Sequence, residues 1–422
     1  MNAVVRNIYY KLPRGVKRAV LKLYEDYYRG RTLKELGLKA FNFSHPKNLK
    51  PKVLFYFVSG LGYGGSSKMH QTFAKHLNFE KYDVYFMYSA KARAIGGRNA
   101  REDGRKFYLE NTPIQLVEHG YESMDEKYPY IIRNMRPSLF EVIKENNIDL
   151  LVTHGSGYTE FPFNLVTDLP IIHFNIFGSP AVQKNIKYHI CVSRAVAERI
   201  SGIVSPERIK IMYVPTESPP KESIEWGKEL RQALGYTDSD VVFGRIGRGV
   251  DALYDPIALA AFERVVKKYP HLHYLIMSPM PVVEKIVKEK NIPNVRFLPS
   301  SGLEKDIWGF HQAVDVLAHF RKDGEAFGLN IIESMYCKKP IISHKSHYWN
   351  AHLEYLEPSF SFVADVDNIG QYADAMEFFA KDQGKEKIKA MGQKAYEKVD
   401  QNFHIRYFIS NFENCIDKSL NN

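Results

Sequence analysis

The chain has 422 residues, of which 45% are hydrophobic and 13% aromatic, so it can bury two sizeable cores and lacks the composition of a disordered protein. Its formal net charge of +10 lies entirely in residues 1–52, which hold 13 basic and 3 acidic side chains and leave 45 of each sign in the remainder. A neutral body argues against a basic nucleic-acid cleft, and we expect no nucleic-acid partner.

The three cysteines, Cys191, Cys337 and Cys415, are too far apart in sequence for a disulfide framework or a zinc site. They indicate a reducing, cytoplasmic compartment. No run of about 18 apolar residues is present, so we expect no transmembrane helix. The segment between Arg6 and Arg31 has no continuous apolar core, which argues against a cleavable signal peptide.

Residues 1–50 are predicted to form a basic helical extension. Between Arg14 and Arg29 apolar side chains recur at three- and four-residue spacing, namely Val16, Val20, Leu23, Tyr24 and Tyr27. Such a basic amphipathic helix suits binding to an anionic membrane surface. We expect residues 6–34 to make this contact and the protein to be peripheral to the inner membrane. Alternatively it packs on its own domain with a solvated basic face, and both can hold at once.

Alternating strand and helix patterns predict two Rossmann-like domains, at residues 51–215 and 222–402, joined by a linker rich in proline at 215–221. The predicted strands of the first domain are 53–58, 82–87, 150–153, 171–174 and 189–192. Those of the second are 241–244, 274–277, 295–298, 314–318, 340–343 and 360–363. The stretch from about Glu377 to the end is predicted to be helical.

A glycine-rich loop, Gly60-Leu-Gly62-Tyr-Gly64-Gly65, follows the first strand and formally satisfies a dinucleotide-binding pattern. That interpretation needs an acidic residue at the end of the next strand, whereas Asp83 lies at its start. A nicotinamide-dependent enzyme is therefore disfavoured. The glycines either approach a ligand closely or only form a tight turn.

Three further motifs lie near strand ends. His173 is at the carboxyl end of a predicted strand, where open parallel sheets bind ligands, and His154 is a weaker candidate. Arg245 and Arg248 follow the first strand of the second domain, and arginine suits phosphate through bidentate, permanently charged contacts. The pairs Asp238/Asp240 and Asp365/Asp367 lie in a strand entry and a late loop, so we interpret them as solvated turns and predict no metal site.

Glu325 and Glu333 flank the start of a predicted helix, the first in a loop and the second about one turn inside. Free backbone amides at residues 327–330 can receive a diphosphate, because a helix N-terminus offers unpaired N–H groups and a positive dipole. One carboxylate would then bind hydroxyls of a transferred sugar and the other hydroxyls of a ribose.

The stretch Glu325–Ile342 resembles the Glu-x7-Glu motif of retaining GT-B glycosyltransferases, in particular glycosyltransferase family 4, the group 1 family. The resemblance covers about residues 51–415. It implies an α/β GT-B fold in which two Rossmann-like domains present parallel sheets across a cleft. The last helix, about 403–422, would complete the N-terminal, acceptor-side domain, and residues 222–402 would bind the nucleotide sugar.

The resemblance also implies an activity: transfer of a sugar from a nucleotide-diphosphate sugar to a glycan or lipid-linked acceptor, with retention of configuration at the anomeric carbon. The nucleotide sugar is a co-substrate, and no cofactor is expected. Synthesis of polysaccharide, lipopolysaccharide or glycolipid is the expected context. The implied catalytic residues are His173, Arg245 and Glu325. The implied donor-binding residues are Gly64, Gly65, Arg248, Leu298, Pro299, Phe327, Gly328, Leu329, Asn330 and Glu333.

Two positions depart from the family pattern. The family supplies a lysine several residues after its Gly-Arg motif, where this chain has Leu253 or Tyr254, so either Arg248 substitutes or phosphate activation is weaker. Lys338 stands where a glycine is common, which we interpret as tolerable. A GT-B sugar-nucleotide epimerase and a catalytically decayed binding protein remain alternatives.

Overall fold

A computed structural model describes residues 12–36, 42–56, 60–89, 92–95, 98–101, 104–125, 128–136, 138–155 and 162–421. The chain divides into two compact units. The first comprises Met1–Pro215 with Ile405–Asn422, and the second comprises Thr216–His404. The second unit thus begins at residue 216, within the predicted linker.

The first unit contains a mainly parallel sheet with helices in its connections. Its helices are α1 (Arg14–Leu36), α2 (Gly65–Lys75), α3 (Phe107–Glu110), α4 (Leu139–Asn146), α5 (Arg194–Ile200) and the C-terminal α13 (Ile409–Asn421). Its strands are β1 (Lys52–Tyr56), β2 (Asp83–Ser89), β3 (Ala92–Ile95), β4 (Arg98–Arg101), β5 (Gln115–Asp125), β6 (Tyr128–Arg136), β7 (Leu150–Gly155), β8 (Ile171–Asn175), β9 (Ile186–Cys191) and β10 (Ile209–Ile211).

The main sheet has the order β10-β9-β8-β7-β1-β2-β5-β6, in which only β6 runs antiparallel to its neighbour. The chain leaves β1 toward β2 on one side and later returns to β7 on the other. The strand order therefore reverses between β1 and β7, and parallel α/β sheets bind ligands at the carboxyl ends beside such a reversal. The glycine-rich loop follows β1 at this point.

The C-terminal helix α13 belongs to the first unit although it is far away in sequence. Phe412 of α13 is fully buried, with ring centroids 4.7 Å from Phe73, 5.4 Å from Phe174 and 6.2 Å from Phe55. Tyr82 donates a hydrogen bond to Asp417 at 2.7 Å. These contacts cover one face of the sheet, because Phe55 and Phe174 lie on its central strands.

The N-terminal helix α1 is seven residues longer than the predicted 14–29 segment and packs on the first unit. Leu21 is 2% exposed and lies in one apolar cluster with Ile203, against which Val182 also packs. The carboxylate of Glu25 accepts the backbone N–H of Val182 at 2.9 Å. The helix is therefore attached through one face. Residues 6–11 of the predicted membrane segment lie outside the described residues.

Glu25→Gln should stabilise the protein above neutral pH. Burial raises the pKa of Glu25 to about 7, although the Val182 hydrogen bond and Arg208 oppose the shift. Unfolded chains lose this proton from about pH 4.5, so the free energy of unfolding falls as the pH rises from 4.5 to 7. We expect glutamine to add about 1–2 kcal/mol at pH 8 and little at pH 4.5, measured by urea unfolding followed by circular dichroism.

The exposed neighbour Asp26, paired only with Arg29 in the described contacts, supplies the control. Asp26→Asn should change the stability by less than about 0.5 kcal/mol at both pH values. An equal gain from Glu25→Gln at pH 8 and pH 4.5 would contradict the raised pKa.

The second unit contains a six-stranded parallel sheet. Its helices are α6 (Ser223–Ala233), α7 (Ile257–Val266), α8 (Pro281–Glu289), α9 (Glu304–Ala313), α10 (Leu329–Tyr336), α11 (Ile369–Ala380) and α12 (Gly384–Asn402). Its strands are β11 (Val241–Ile246), β12 (Leu272–Met277), β13 (Val295–Leu298), β14 (Val316–Ala318), β15 (Gly324–Glu325), β16 (Ile341–His344), β17 (Trp349–Asn350) and β18 (Ser361–Ala364).

This sheet has the order β13-β12-β11-β14-β16-β18 and is buried on both faces. Val241 and Phe243 of β11 join a core with α7 and α11, whereas Val242 joins a second core with Phe310 and Val314. Alternate residues of one strand thus enter two cores, as expected of a parallel sheet covered by helices on both sides. The strand order reverses between β11 and β14.

The fold class predicted from the sequence is confirmed, and every predicted strand has a counterpart. The sequence pattern did not reveal β3, β4, β5, β6, β10 or the two-residue pair β15 and β17, because their segments lack a continuous apolar run. The first strand is described only to Tyr56, since the predicted positions 57–58 lie outside the described residues. Within the described parts of the chain, no helix is long and apolar enough to cross a membrane.

Candidate active site

The carboxyl ends of β11 and β14 meet where the strand order of the second unit reverses. Arg245 is the penultimate residue of β11 and Arg248 follows the strand, while the segment after β14 carries His319, Arg321 and Glu325. Motifs that are about 75 residues apart in sequence therefore converge at the place where parallel sheets bind ligands.

The backbone of Glu325 is fixed by the short pairing of β15 with β17, in which Glu325 faces Asn350 and Gly324 faces Trp349. Gly324 has a φ of +67°, and a Cβ at this position would lie 1.9 Å from the carbonyl oxygen of Trp349. Only glycine fits there. The conformation that presents Glu325 is thus determined by a close backbone approach.

The side chain of Glu325 is 13% exposed and lies among cationic and imidazole groups. Its Oε1 is 3.4 Å from Nε2 of His319, and its Oε2 is 3.6 Å from Nη1 of Arg321. Burial alone would raise the pKa of Glu325, but His319 and Arg321 hold it at about 2. The carboxylate is therefore ionised at every working pH and can only accept hydrogen bonds, as a hydroxyl-binding group must.

The amide of Asn330 orients His319. Its Nδ2 donates to the carbonyl oxygen of Ile246 at 2.8 Å and lies 3.3 Å from Nδ1 of His319. Because an amide NH2 donates, Nδ1 of His319 accepts and its proton is assigned to Nε2, which faces Glu325. Asn330 thus connects the end of β11, the imidazole and the first turn of α10.

The N-terminus of α10 carries the amides that were predicted to receive a diphosphate, and this binding role stays a prediction. Gly328 adopts a left-handed conformation with a φ of 96°, and no side chain caps the helix there. Tyr355 donates its hydroxyl to the carbonyl oxygen of Phe327 at 2.6 Å, which holds the preceding loop in place. The first amides of the helix, from Leu329 onward, are therefore presented in a fixed orientation.

Glu333 lies one turn inside α10 and is 5% exposed. Its Oε2 is 3.5 Å from Nε2 of His311 on α9, whose Nδ1 lies 2.8 Å from the hydroxyl of Ser334. Glu333 is thus buried and Glu325 largely buried, and both face an imidazole. A ribose role for Glu333 stays a prediction.

The two arginines of the β11 motif differ in exposure. Arg245 is 2% exposed, and its guanidinium donates to the carbonyl oxygens of Ser278 at 3.3 Å and Arg248 at 3.1 Å. Burial lowers the pKa of Arg245 to about 10, which leaves it charged. Within the described residues its Nε is buried without a hydrogen-bond partner, so this N–H remains available as a donor. The side chain of Arg248 is exposed.

Leu298 is the last residue of the edge strand β13, and Pro299 follows it. The carbonyl oxygen of Leu298 accepts the N–H of Ser278, and the hydroxyls of Ser278 and Ser300 lie 2.6 Å apart. These two predicted donor-binding residues therefore lie at the same carboxyl edge of the sheet as Arg245, two strands from β11.

The position of the expected lysine is occupied by side chains that pack inward. Leu253 and Tyr254 are partly buried against the core of the second unit. The carbonyl oxygen of Leu253 accepts the N–H of Lys322 at 3.1 Å, and Lys322 is exposed. The backbone of Lys322, in the segment after β14, is thus hydrogen-bonded to one of the two positions at which the resemblance expects a lysine.

In the first unit His173 lies in the middle of β8, two residues before its end, and not at the strand end as predicted. It is 3% exposed, and its Nδ1 is 2.7 Å from the hydroxyl of Thr153 on β7. Burial lowers the pKa of His173 to about 4, so the imidazole is neutral at physiological pH. His154 is also buried, and its ring packs 5.6 Å from that of His70.

The glycine-rich loop is attached to α2 through its carbonyl groups. Gln71 donates to the carbonyl oxygens of Gly62 at 3.0 Å and Gly60 at 3.3 Å, while its own carbonyl accepts from Arg105 at 2.9 Å. Gly64 and Gly65 form the start of α2. Hydrogen bonds from Gln71 therefore hold the loop in a defined position against α2.

The two aspartate pairs form turns, as predicted. Asp240 accepts the N–H of Thr237 at 2.7 Å, and Asp365 pairs with Lys345 at 2.7 Å. Among the residues that the structure describes, no three His, Cys, Asp or Glu side chains are grouped to hold a metal ion.

Several side chains that contact the predicted residues were missed from sequence: His319, Arg321, His311, Gln71 and Arg105. A signal existed for the first two, because His319 and Arg321 directly follow a predicted strand, where functional polar residues are expected. The others act through contacts with elements distant in sequence, which no local pattern reveals.

The second unit matches a known protein family. Residues 228–398 match the family model "Glycosyl transferases group 1". No curated protein is similar to the chain by sequence.

Many solved structures share the fold, among them the following three. A glycosyltransferase from Rickettsia africae ESF-5 has a TM-score of 0.65 at 15% identity, covering 89% of this chain and 100% of that chain. Anabaena Alr3699/HepE in complex with UDP and glucose has 0.62 at 17% identity, covering 87% and 100%. A sucrose-phosphate synthase from Thermosynechococcus elongatus has 0.62 at 13% identity, covering 87% and 98%.

At these identities the structural similarity establishes the fold alone, whereas the family model adds the enzyme class for the second unit. The protein has a GT-B fold, and its residues 228–398 match the glycosyl transferases group 1 model, which supports its assignment as a glycosyltransferase.

Proposed function

We propose that the protein transfers a sugar from a nucleotide-diphosphate sugar to an acceptor hydroxyl, with retention at the anomeric carbon. The observation that carries the proposal is the ionised, largely buried carboxylate of Glu325, which interacts electrostatically with Arg245 and lies next to Gly328 at the uncapped start of α10. A sugar diphosphate needs acceptors for its hydroxyls next to donors for its phosphates. This part of the second unit offers both.

Each group has a distinct role in the proposal. Glu325 accepts hydrogen bonds from sugar hydroxyls, and Glu333 accepts them from the ribose. Arg245, Arg248 and the amides of residues 327–330 stabilise the charge that develops on the leaving diphosphate. His173, neutral at physiological pH, binds the sugar through Nε2, since its Nδ1 is occupied by Thr153.

The reaction we propose is a displacement on one face of the sugar. The bond from the anomeric carbon to the diphosphate breaks as the acceptor oxygen bonds to the same face, and a donor phosphate oxygen takes the acceptor proton. Glu325 is engaged with His319 and Arg321, which suits binding better than nucleophilic attack. No metal or cofactor is included, because arginines and amides supply the positive charge.

We propose a glycan or a lipid-linked acceptor. In this proposal the enzyme lies in the cytoplasm, peripheral to the inner membrane, and serves the synthesis of cell-surface polysaccharide, lipopolysaccharide or glycolipid. The complex of Alr3699/HepE with UDP and glucose makes UDP-sugars the first donors to test.

A thermal-shift panel of nucleotide sugars tests the donor site. All three tryptophans, Trp226, Trp308 and Trp349, lie in the second unit, so their fluorescence reports its unfolding. A donor at a hundred times its dissociation constant should stabilise the folded state by about 2.7 kcal/mol. Glu333→Ala should abolish this shift, because it removes the ribose acceptor.

Glu333→Gln separates lost binding from lost folding, since it keeps the side-chain volume next to His311. Exposed Glu284 on α8 gives the control, and Glu284→Ala should retain the full shift. A normal shift in both Glu333 variants would refute the ribose assignment. Donor turnover without acceptor to an altered nucleotide sugar would identify an epimerase, and binding without any turnover a decayed enzyme.

A further inference from the structure

Helix α1 exposes an apolar stripe on the side opposite its packed face. Val16, Leu23 and Tyr27 are 47%, 71% and 65% exposed. They are seven and four residues apart in succession, about two turns and one turn, so they lie in line along the helix. The packed face, with Leu21 and Thr32 at 2% and 7% exposure, is rotated from this stripe by about 140°.

The stripe is not needed to hold the helix on its domain. Leu21 packs with Ile203, and Glu25 accepts the Val182 N–H, both from the other side of the helix. Exposed apolar side chains elsewhere in the described residues are scattered, which is normal for a protein surface. Three exposed apolar side chains in line on one helix, whose other face is already packed on the domain, indicate a second contact surface.

The charge around the stripe indicates which partner it contacts. Helix α1 carries seven basic and three acidic residues, and one of the acidic residues, Glu25, is turned toward the domain. Lys34 continues the stripe seven residues after Tyr27, and exposed Arg31 lies about 60° from the stripe around the helix. Since the chain outside residues 1–52 is neutral, this is the basic region of the protein.

We propose that the outer face of α1, formed by Val16, Leu23 and Tyr27 together with the basic side chains of Arg31 and Lys34, binds the surface of an anionic lipid bilayer. The apolar side chains enter the headgroup region while the basic side chains meet anionic lipids. The packed face transmits this attachment to the first unit. The proposal extends the proposed function by naming the surface that brings the enzyme to a lipid-linked acceptor, but it does not depend on the donor site.

Cosedimentation of the full chain with vesicles tests the proposal. The protein should bind phosphatidylcholine vesicles that contain phosphatidylglycerol and should not bind vesicles of phosphatidylcholine alone. The double variant Leu23→Ser/Tyr27→Ser should bind at least about tenfold more weakly, because it removes the side chains that enter the bilayer. Both positions are exposed, so its circular dichroism and its donor thermal shift should match the parent.

A matched control is available in the second unit, where Ile224 and Tyr348 are 58% and 71% exposed. Ile224→Ser/Tyr348→Ser should bind vesicles like the parent. Arg31→Ser/Lys34→Ser should weaken binding mainly at low ionic strength, since salt screens charges. Unchanged binding of Leu23→Ser/Tyr27→Ser, or no binding by the parent, would overturn the proposal.

A second copy of this chain is the rival occupant of the stripe, and sedimentation equilibrium distinguishes it. A parent dimer that becomes a monomer in Leu23→Ser/Tyr27→Ser would assign the stripe to self-association and overturn the lipid assignment. Loss of the donor thermal shift with intact vesicle binding would refute the proposed function alone.

Discussion

Glu325→Gln should lower kcat/KM for sugar transfer by about a hundredfold, because a hydrogen bond to a charged group contributes about 1.5–3 kcal/mol and the amide cannot replace the carboxylate. It also leaves Arg321 with Asp323 as its remaining carboxylate partner in the described contacts. The measurement is release of nucleoside diphosphate in the presence of acceptor, with the donor identified by thermal shift.

Glu284→Gln, at an exposed position on α8, is the matched control and should retain full activity. The stability contributed by the Glu325 carboxylate should have its own pH signature. Since its folded pKa of about 2 is below the unfolded value of 4.5, this stability is complete above pH 4.5 and is lost as the pH falls toward 2. Full activity of Glu325→Gln would remove Glu325 from the reaction.

Phe412→Ala should destabilise the first unit by about 3–5 kcal/mol, a large share of a typical domain's stability. Phe412 is fully buried among Phe55, Phe73 and Phe174, and its loss opens a cavity where α13 meets the sheet. Because the tryptophans lie in the second unit, urea unfolding should move the circular dichroism transition of the first unit while the tryptophan transition stays in place.

Tyr407, 43% exposed and close to α13 in sequence, supplies the control. Tyr407→Ala should change the stability by no more than about 0.5 kcal/mol. If Phe412→Ala shifts the tryptophan and circular dichroism transitions equally, the two units unfold together, and the effect of α13 is not confined to the first unit.

The strands were predictable where parallel strands, buried on both faces, read as apolar runs, as in Val241–Ile246 and Ile341–His344. The polar segment 115–125 carries no such run and was missed, although it pairs with β2. The helix carrying Glu333 was predictable because Leu329–Tyr336 places its apolar residues on one face after a glycine.

The candidate site divides in the same way. Glu325, Glu333, Arg245 and Arg248 could be selected from local motifs, since the spacing of each motif is a property of one short segment. His319 and Arg321 became part of the site only through the parallel pairing of β11 with β14. The exposure of Arg248 and the burial of Arg245 also required the structure, because neighbours from β12 and β14 decide which side chain reaches solvent.

The sequence by itself determined the fold class, the glutamate motif and the concentration of charge in residues 1–52, because periodicity, spacing and composition are local properties of the chain. Tertiary structure alone decided the ionisation of Glu325, the tautomer of His319, the placement of α13 and the two opposite faces of α1. These depend on groups that are distant in sequence and come together only on folding, where burial and neighbouring charges set the energy of each side chain.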